Sequence, residues 1–419
     1  MRILVVLSAL LVAALARPST HDYLHGAQVL RVNPTTAAQV HYLQGLQNQD
    51  LYDFWTEPHG TGLPVDIMAQ AFSVPVLKKT LQTIGLEFTV QVSDVALLLA
   101  KDREANQKAR ASSGREMDWT SYHRYDEIEA WLEELATTNP GLCSVEEIGT
   151  TYEGRTMKML TLGKGGAGKP GIFIDGGIHA REWISPATVT YMLNELVTNS
   201  ATYDDLLSNV NFYFIPSINP DGYEYCHTDD RLWRKTRSDN GSPFGCMGAD
   251  PNRNWGFHWN ENGASNNPCS DIYAGPEAFS EVEMRNVRDQ ILKYADSLVV
   301  YLTFHSYSQL WLYPWGYTSA LPSDWQDLDD LAHSAVDALT AVHGTRYDIG
   351  SSTNVLYAAA GGSDDWAKGG AGVKYAYTVE LRDTGNYGFV LPPDQIIPTG
   401  EETFEALKVV ANYVRNNYS

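Results

Sequence analysis

An apolar run that ends on two glycines constrains this chain more than any other stretch. In Gly171-Ile-Phe-Ile-Asp-Gly-Gly-Ile-His-Ala-Arg-Glu-Trp183, the segment Ile172 to Ile174 reads as a buried strand. The chain then breaks at Gly176-Gly177, and the loop that follows presents His179 and Glu182. An imidazole and a carboxylate three residues apart, on a loop after a buried strand, can hold one metal ion between them. Two ligands do not make a site, so the rest of the chain must supply a third ligand and a catalytic base.

A length of 419 residues points to about two or three domains. The first sixteen residues carry Arg2, an apolar run from Ile3 to Leu15 and the small-residue end Ala14-Leu15-Ala16, the pattern of a secretory signal peptide over 1–16. The run is shorter than the ~20 residues a membrane span needs, so no membrane association is expected. Export places the four cysteines in an oxidising compartment. Cys246 and Cys269 flank a Gly/Asn-rich loop and are expected to pair; Cys143 and Cys226 remain as a second pair by elimination, which the sequence leaves open. Asn240-Gly-Ser and Asn417-Tyr-Ser are glycosylation sequons. The net charge of -21 lies wholly after residue 110: 17–110 holds 8 basic and 9 acidic residues, 111–419 holds 21 and 42. Such a field disfavours nucleic acid as a partner and favours cationic ones.

The first part reads as alternating short elements. Strands are expected at Ala27 to Val32, Leu51 to Trp55, Pro64 to Ala69 and Glu87 to Val92, with helices at Thr35 to Leu46 and Val76 to Ile84. That βαββαβ order makes a small two-layer α+β unit, ferredoxin-like, over 17–93. A helical, then basic linker follows over 94–115, with Arg103, Lys108, Arg110 and Arg115 open to proteolysis. From 116 to 419 the pattern changes. Helices at Tyr125 to Leu135, Pro186 to Leu196, Glu281 to Lys293 and Leu328 to Val342 alternate with apolar strands at Gly171 to Ile174, Asn211 to Ile215, Leu298 to Phe304 and Lys374 to Val379. The alternation predicts an α/β domain whose mixed, largely parallel sheet is flanked by helices.

In such sheets ligands gather beyond the carboxyl ends of strands. His305 follows the strand ending at Phe304, Glu380 the one ending at Val379, and His179 and Glu182 the one ending at Ile174. Two histidines and a carboxylate leave a tetrahedral zinc ion one position for water. Zinc lowers the pKa of that water toward about 7. Glu380 is then the general base that passes the proton to a leaving amine, a chemistry suited to amide hydrolysis.

The residues resemble those of secreted metallocarboxypeptidase zymogens of the pancreatic A/B type. The motifs stand as His179-Ala-Arg-Glu-Trp183, Asn219-Pro-Asp-Gly-Tyr223, Arg231-Leu-Trp-Arg-Lys-Thr-Arg237, Asp250-Pro-Asn-Arg-Asn-Trp255, His305-Ser-Tyr-Ser-Gln309 and Glu380-Leu-Arg-Asp-Thr-Gly385. The resemblance implies one zinc ion on His179, Glu182 and His305, the ligand set known for carboxypeptidase A. It implies that Asp250 orients His179 and that Arg234 stabilises an oxyanion. Asn252 and Arg253 would bind the substrate's terminal carboxylate. Tyr357 would close over the substrate, and Arg181, Tyr307 and Phe389 would line outer subsites. The first unit would be an inhibitory prosegment over the cleft, released by a trypsin-like protease cutting after Arg110 or Arg115. The partners are then that protease and peptides with free C-termini, and a monomer is the default.

Ala360-Gly-Gly-Ser-Asp-Asp-Trp366 bears on specificity. Asp364 matches a pocket-floor position that is apolar in A-type enzymes and Asp in B-type ones. A buried carboxylate left without a cation costs roughly 3–5 kcal/mol, worth at least ~100-fold in selection. The expected activity is therefore removal of C-terminal Lys or Arg. Ser352 and Gly316 fall at pocket-wall positions where the commonest B-type pairing carries Gly and Ser respectively. The alternatives are an A-like enzyme, which an apolar residue 364 would have marked, and a non-catalytic binder of peptide C-termini, which a lost zinc ligand or lost Glu380 would have marked. A deacylase of non-peptide amides is disfavoured by Asn252 and Arg253, and no HExxH motif is present.

Overall fold

The computed structural model describes residues 24–47, 51–113, 117–166 and 168–419. The expected signal peptide and Arg115 lie outside them. The first unit runs β1 Gln28–Val32, α1 Ala37–Gln47, β2 Asp53–Phe54, β3 Val65–Ala69, α2 Val74–Thr83 and β4 Phe88–Val92, the order read from the sequence. Its four-stranded sheet is ordered β2-β3-β1-β4 and every pairing is antiparallel. Side chains alternate across a strand. Leu30 therefore packs with Leu43, Ile67, Leu77 and Leu81 in the unit's own core, while Val29, with Met68 and Val92, packs against Tyr307, Phe389 and Val390 of the second unit.

The linker is one helix, α3 Val95–Ser113, longer than expected. It is fastened along its length: Asp102 lies 3.5 Å from Arg231, Asn106 accepts the Tyr122 N–H at 2.7 Å, and Arg110 pairs with Glu127.

The second unit has an eight-stranded sheet, ordered β11-β10-β12-β9-β7-β8-β6-β5. The strands are β5 Cys143–Thr150, β6 Thr156–Leu162, β7 Gly171–Gly176, β8 Asn211–Ile215, β9 Leu298–Ser306, β10 Leu310–Tyr313, β11 Asp348–Ser351 and β12 Tyr375–Leu381. Its centre, β12-β9-β7-β8, is parallel throughout. These are the four strands visible in the sequence. Toward the edges, β10 runs antiparallel to β12, and β6 and β5 run antiparallel to β8 and β6. The sheet is thus mixed: a parallel centre, antiparallel steps on both sides of it, and a parallel β10–β11 pair at one edge.

Helices cover both faces. Ile172, Ile174, Val300 and Leu302 join a core with α4 Tyr125–Thr138, α5 Ile184–Thr198, α7 Trp325–His343 and α9 Ile396–Tyr418. Their neighbours Phe173 and Tyr301 point the other way, to α6 Val282–Tyr294 and α8 Ser363–Gly369. Burial on both faces is why these strands read as continuous apolar runs. No helix among the described residues is long and apolar enough to cross a membrane.

Cys246 and Cys269 form a disulfide. The second pairing is overturned: Cys143 and Cys226 are free, buried thiols. Cys143 opens the edge strand β5, whereas the Cys226 thiol donates to the Trp233 carbonyl at 3.1 Å. Burial pushes the Cys143 thiol up to about 12, so both behave as small core residues.

Candidate active site

The loop after β7 is held from below. Gly177 adopts φ +62°, and a Cβ there would meet Pro186 and Ser217 at 3.0 Å, so glycine suits the turn. Ser185 ties the loop to the sheet by accepting the Gly177 N–H at 2.8 Å and donating to the Phe304 carbonyl at 2.6 Å. His179 and Glu182 are thereby fixed beside β9. His305 and Glu380 lie within β9 and β12 rather than just beyond them, because both strands run about two residues further than expected. The two residues are direct register partners.

Three donor groups converge. His179 Nδ1 lies 2.7 Å from Glu182 Oε1. His305 Nδ1 lies 3.3 Å from both His179 Nδ1 and Glu182 Oε2. Among the described residues these form the one group of three metal-ligating side chains, with donor atoms all within 4.8 Å. They are nearly inaccessible, at 4%, 3% and 1% exposure for His179, Glu182 and His305. Two imidazole nitrogens aimed at each other and at one carboxylate need a cation among them, and N/N/O donors fit zinc.

The surroundings orient these groups. Asp250 Oδ1 faces His179 Nε2 at 3.1 Å and also accepts the Asn252 N–H at 2.8 Å. Its Oδ2 accepts from Arg234 Nη2 at 2.8 Å. Burial opposes the Asp250 charge, but Arg234, Arg253 and His179 outweigh burial and hold the carboxyl well below its ordinary range. At Glu380 the balance falls the other way. Burial raises its carboxyl to about 8, with His305 and Arg234 opposing and Glu182 adding to the rise. A carboxylate near neutrality is suited to taking and returning a proton.

One cavity joins His179, His305 and Glu380 to Asn252, Arg253, Tyr357, Gly316, Ser352, Asp364 and Thr378. Asp364 is 5% exposed. Burial raises its carboxyl above the ordinary 3.8, and among the described residues no basic side chain forms an ion pair with it. The structure thus brings together the groups that the sequence left scattered over about 200 residues.

The remaining groups meet the first unit. Arg253 donates to Glu57 at 2.7 Å and lies 5.8 Å from the Tyr357 ring. Arg181 donates to Asp53 at 3.0 Å and stacks 4.0 Å over Phe389. The Tyr307 hydroxyl donates to Asp66 at 2.7 Å, and Arg31 grips the same carboxylate at 2.7 and 2.6 Å. Sequence reading missed Asp53, Glu57 and Asp66. Its only trace of them was an acid set among aromatics at Tyr52-Asp-Phe-Trp55.

Comparison with known proteins agrees with this arrangement. Residues 128–406 match a family model described as zinc carboxypeptidase, and residues 30–102 match one described as carboxypeptidase activation peptide. Carboxypeptidase B of Astacus astacus is 78% identical over 303 residues, spanning 72% of this chain and all of that protein. Carboxypeptidase B of Rattus norvegicus is 41% identical, spanning 99% of this chain and all of that protein. The crystal structure of carboxypeptidase A from Helicoverpa armigera superposes with a TM-score of 0.89 at 31% identity, covering 95% of this chain and 99% of that one.

Proposed function

This chain belongs to the zinc carboxypeptidase family, and from that premise we propose that it is a secreted proenzyme that removes C-terminal Lys or Arg from peptides. The observation that carries the specificity is Asp364, buried in the cavity that His179, His305 and Glu380 also line, with no ion pair to a basic side chain among the described residues. A basic side chain of the substrate supplies that cation, whereas an apolar one leaves the carboxylate desolvated and unpaired.

His179, Glu182 and His305 would hold one zinc ion. When bound, zinc acts as a Lewis acid and makes water nucleophilic near neutral pH. Glu380 takes the proton of the attacking water and returns it to the leaving nitrogen. Arg234 faces the carbonyl oxygen as it gains charge. Arg253 and Asn252 bind the terminal carboxylate, for which the guanidinium has a matching fork. Asp250 fixes the His179 ring. Tyr357 closes over the substrate, and Arg181, Tyr307 and Phe389 line the outer subsites.

The domain plan follows: signal peptide over 1–16, prodomain over 17–93, activation helix and linker over 94–115, and catalytic domain over 116–419. The sheet order β2-β3-β1-β4 supports a ferredoxin-like prodomain. Its acids occupy Arg181, Arg253 and Tyr307, groups that peptide substrates need, so it inhibits until a trypsin-like protease cuts the linker. The active form acts as a monomer.

The test is hydrolysis of matched acyl-dipeptides ending in Arg or Phe by trypsin-treated protein. Chelator-sensitive release of Arg over Phe by ~100-fold or more is expected. A preference for Phe would remove the specificity, and no release of either by zinc-loaded protein would remove the enzymatic reading.

A further inference from the structure

His179 and His305 each turn one ring nitrogen toward the other metal-ligating groups and one away from them. The averted nitrogen of His179 meets a carboxylate directly, Asp250 at 3.1 Å. That of His305, Nε2, meets the Thr303 hydroxyl at 3.4 Å. Thr303 stands two residues back on β9, so the two side chains share one face of the strand. Its direct register partner on β7 is Asp175.

Asp175 and Thr303 are both fully buried. Tyr301, on the same face of β9, donates its hydroxyl to Asp175 Oδ2 at 2.7 Å. Burial raises the Asp175 carboxyl to about 6, while the hydroxyls of Thr303 and Tyr301 and the His305 ring oppose the rise. Among the described residues no basic side chain pairs with Asp175, and its Oδ1 makes no close hydrogen bond. A buried carboxylate oxygen without a donor is costly, so Oδ1 calls for one.

An imidazole that binds a metal through Nδ1 keeps its proton on Nε2 and donates it. The Thr303 oxygen is the acceptor within reach. Its own single proton can then turn toward Asp175 Oδ1. The chain runs from His305 Nε2–H to the Thr303 hydroxyl to Asp175, and Tyr301 braces its far end.

Resting on the zinc site read at His179, Glu182 and His305, we propose that Asp175 is a positioning residue for the metal: through the Thr303 hydroxyl it fixes the tautomer and orientation of the His305 ring, as Asp250 does directly for His179.

The test is a double-variant cycle on the full proenzyme, read as the zinc dissociation constant by competition with a chelator. Asp175→Asn and Thr303→Val should each weaken zinc binding about tenfold or more. The double variant should bind no more weakly than the weaker single one, because both changes break one chain. Thr303→Ser keeps the hydroxyl and should restore the wild-type constant. A purely structural role would lower the melting temperature of the zinc-free protein and leave the Val and Ser variants alike in zinc affinity. One measurement needs no variant: in zinc-loaded wild type with 15N-labelled histidine, His305 Nε2 should carry a proton that exchanges slowly. An unchanged constant in either single variant, losses that add in the double one, or an unprotonated or freely exchanging Nε2 would each overturn the inference. A wild-type proenzyme that binds no zinc would overturn the underlying metal site instead.

Discussion

Two buried carboxylates reach the same crevice from opposite sides and keep different company. Glu57 enters from the prodomain and meets the Arg253 guanidinium at 2.7 Å. Asp364 lies in the cavity proposed as the specificity pocket and meets the Ser352 hydroxyl at 3.3 Å, with no ion pair to a basic side chain among the described residues. Arg253 is a cation the catalytic domain keeps permanently, so in the proenzyme a prodomain carboxylate takes the place proposed for the substrate's own. On the proposed reading, Asp364 is a charge whose partner arrives with the substrate. On that reading one contact closes the site and the other selects what enters it.

Breaking the first pair should have the largest effect. Arg253→Met removes the group proposed to hold the terminal carboxylate, at a cost of roughly 3–5 kcal/mol, so kcat/KM of the activated enzyme should fall about 100- to 5,000-fold. Its counterpart, Glu57→Gln, keeps a neutral hydrogen bond and loses only the charge. The intact proenzyme should then hydrolyse an acyl-Arg dipeptide about tenfold faster. An unchanged rate would mean that Glu57 does not guard the site.

A milder probe is pH. Burial holds the Asp364 carboxyl above its ordinary 3.8 in the folded protein. Its contribution to stability is therefore fully present below 3.8 and is lost as pH rises through the raised value. Selection runs the opposite way, because only the ionised group attracts a cation. The Arg-to-Phe ratio should decline as pH falls, beginning above the ordinary carboxylate range, while the empty enzyme gains stability. A ratio that stays flat down to pH about 4 would contradict this.

The same contrast explains what the sequence made legible. Strands β7, β8, β9 and β12 stood out because both their faces are buried, which demands unbroken apolar runs. The edge strand β5 carries Glu146 and Glu147 toward solvent, and β11 is Asp348-Ile-Gly-Ser351. Neither has a pattern that separates it from a loop. The metal ligands and Glu380 were legible because each sits at or just past a strand that was itself visible. Asp53, Glu57 and Asp66 were not, because their meaning exists only once the prodomain is docked. Spacing does not show the Ser352–Asp364 contact either; only the family resemblance put both residues at one pocket. Elimination failed for Cys143 and Cys226 because arithmetic cannot tell a spare pair from two core thiols.

The most direct test is Asp364→Asn, which keeps the shape of the side chain and removes its charge. The kcat/KM ratio for acyl-dipeptides ending in Arg and Phe should be measured on activated wild type and variant side by side, each with and without a zinc chelator. The ratio should collapse by ~100-fold or more, while chelator-sensitive cleavage of the Phe substrate persists. A variant that keeps the wild-type ratio would show that Asp364 is not the charge that selects the substrate.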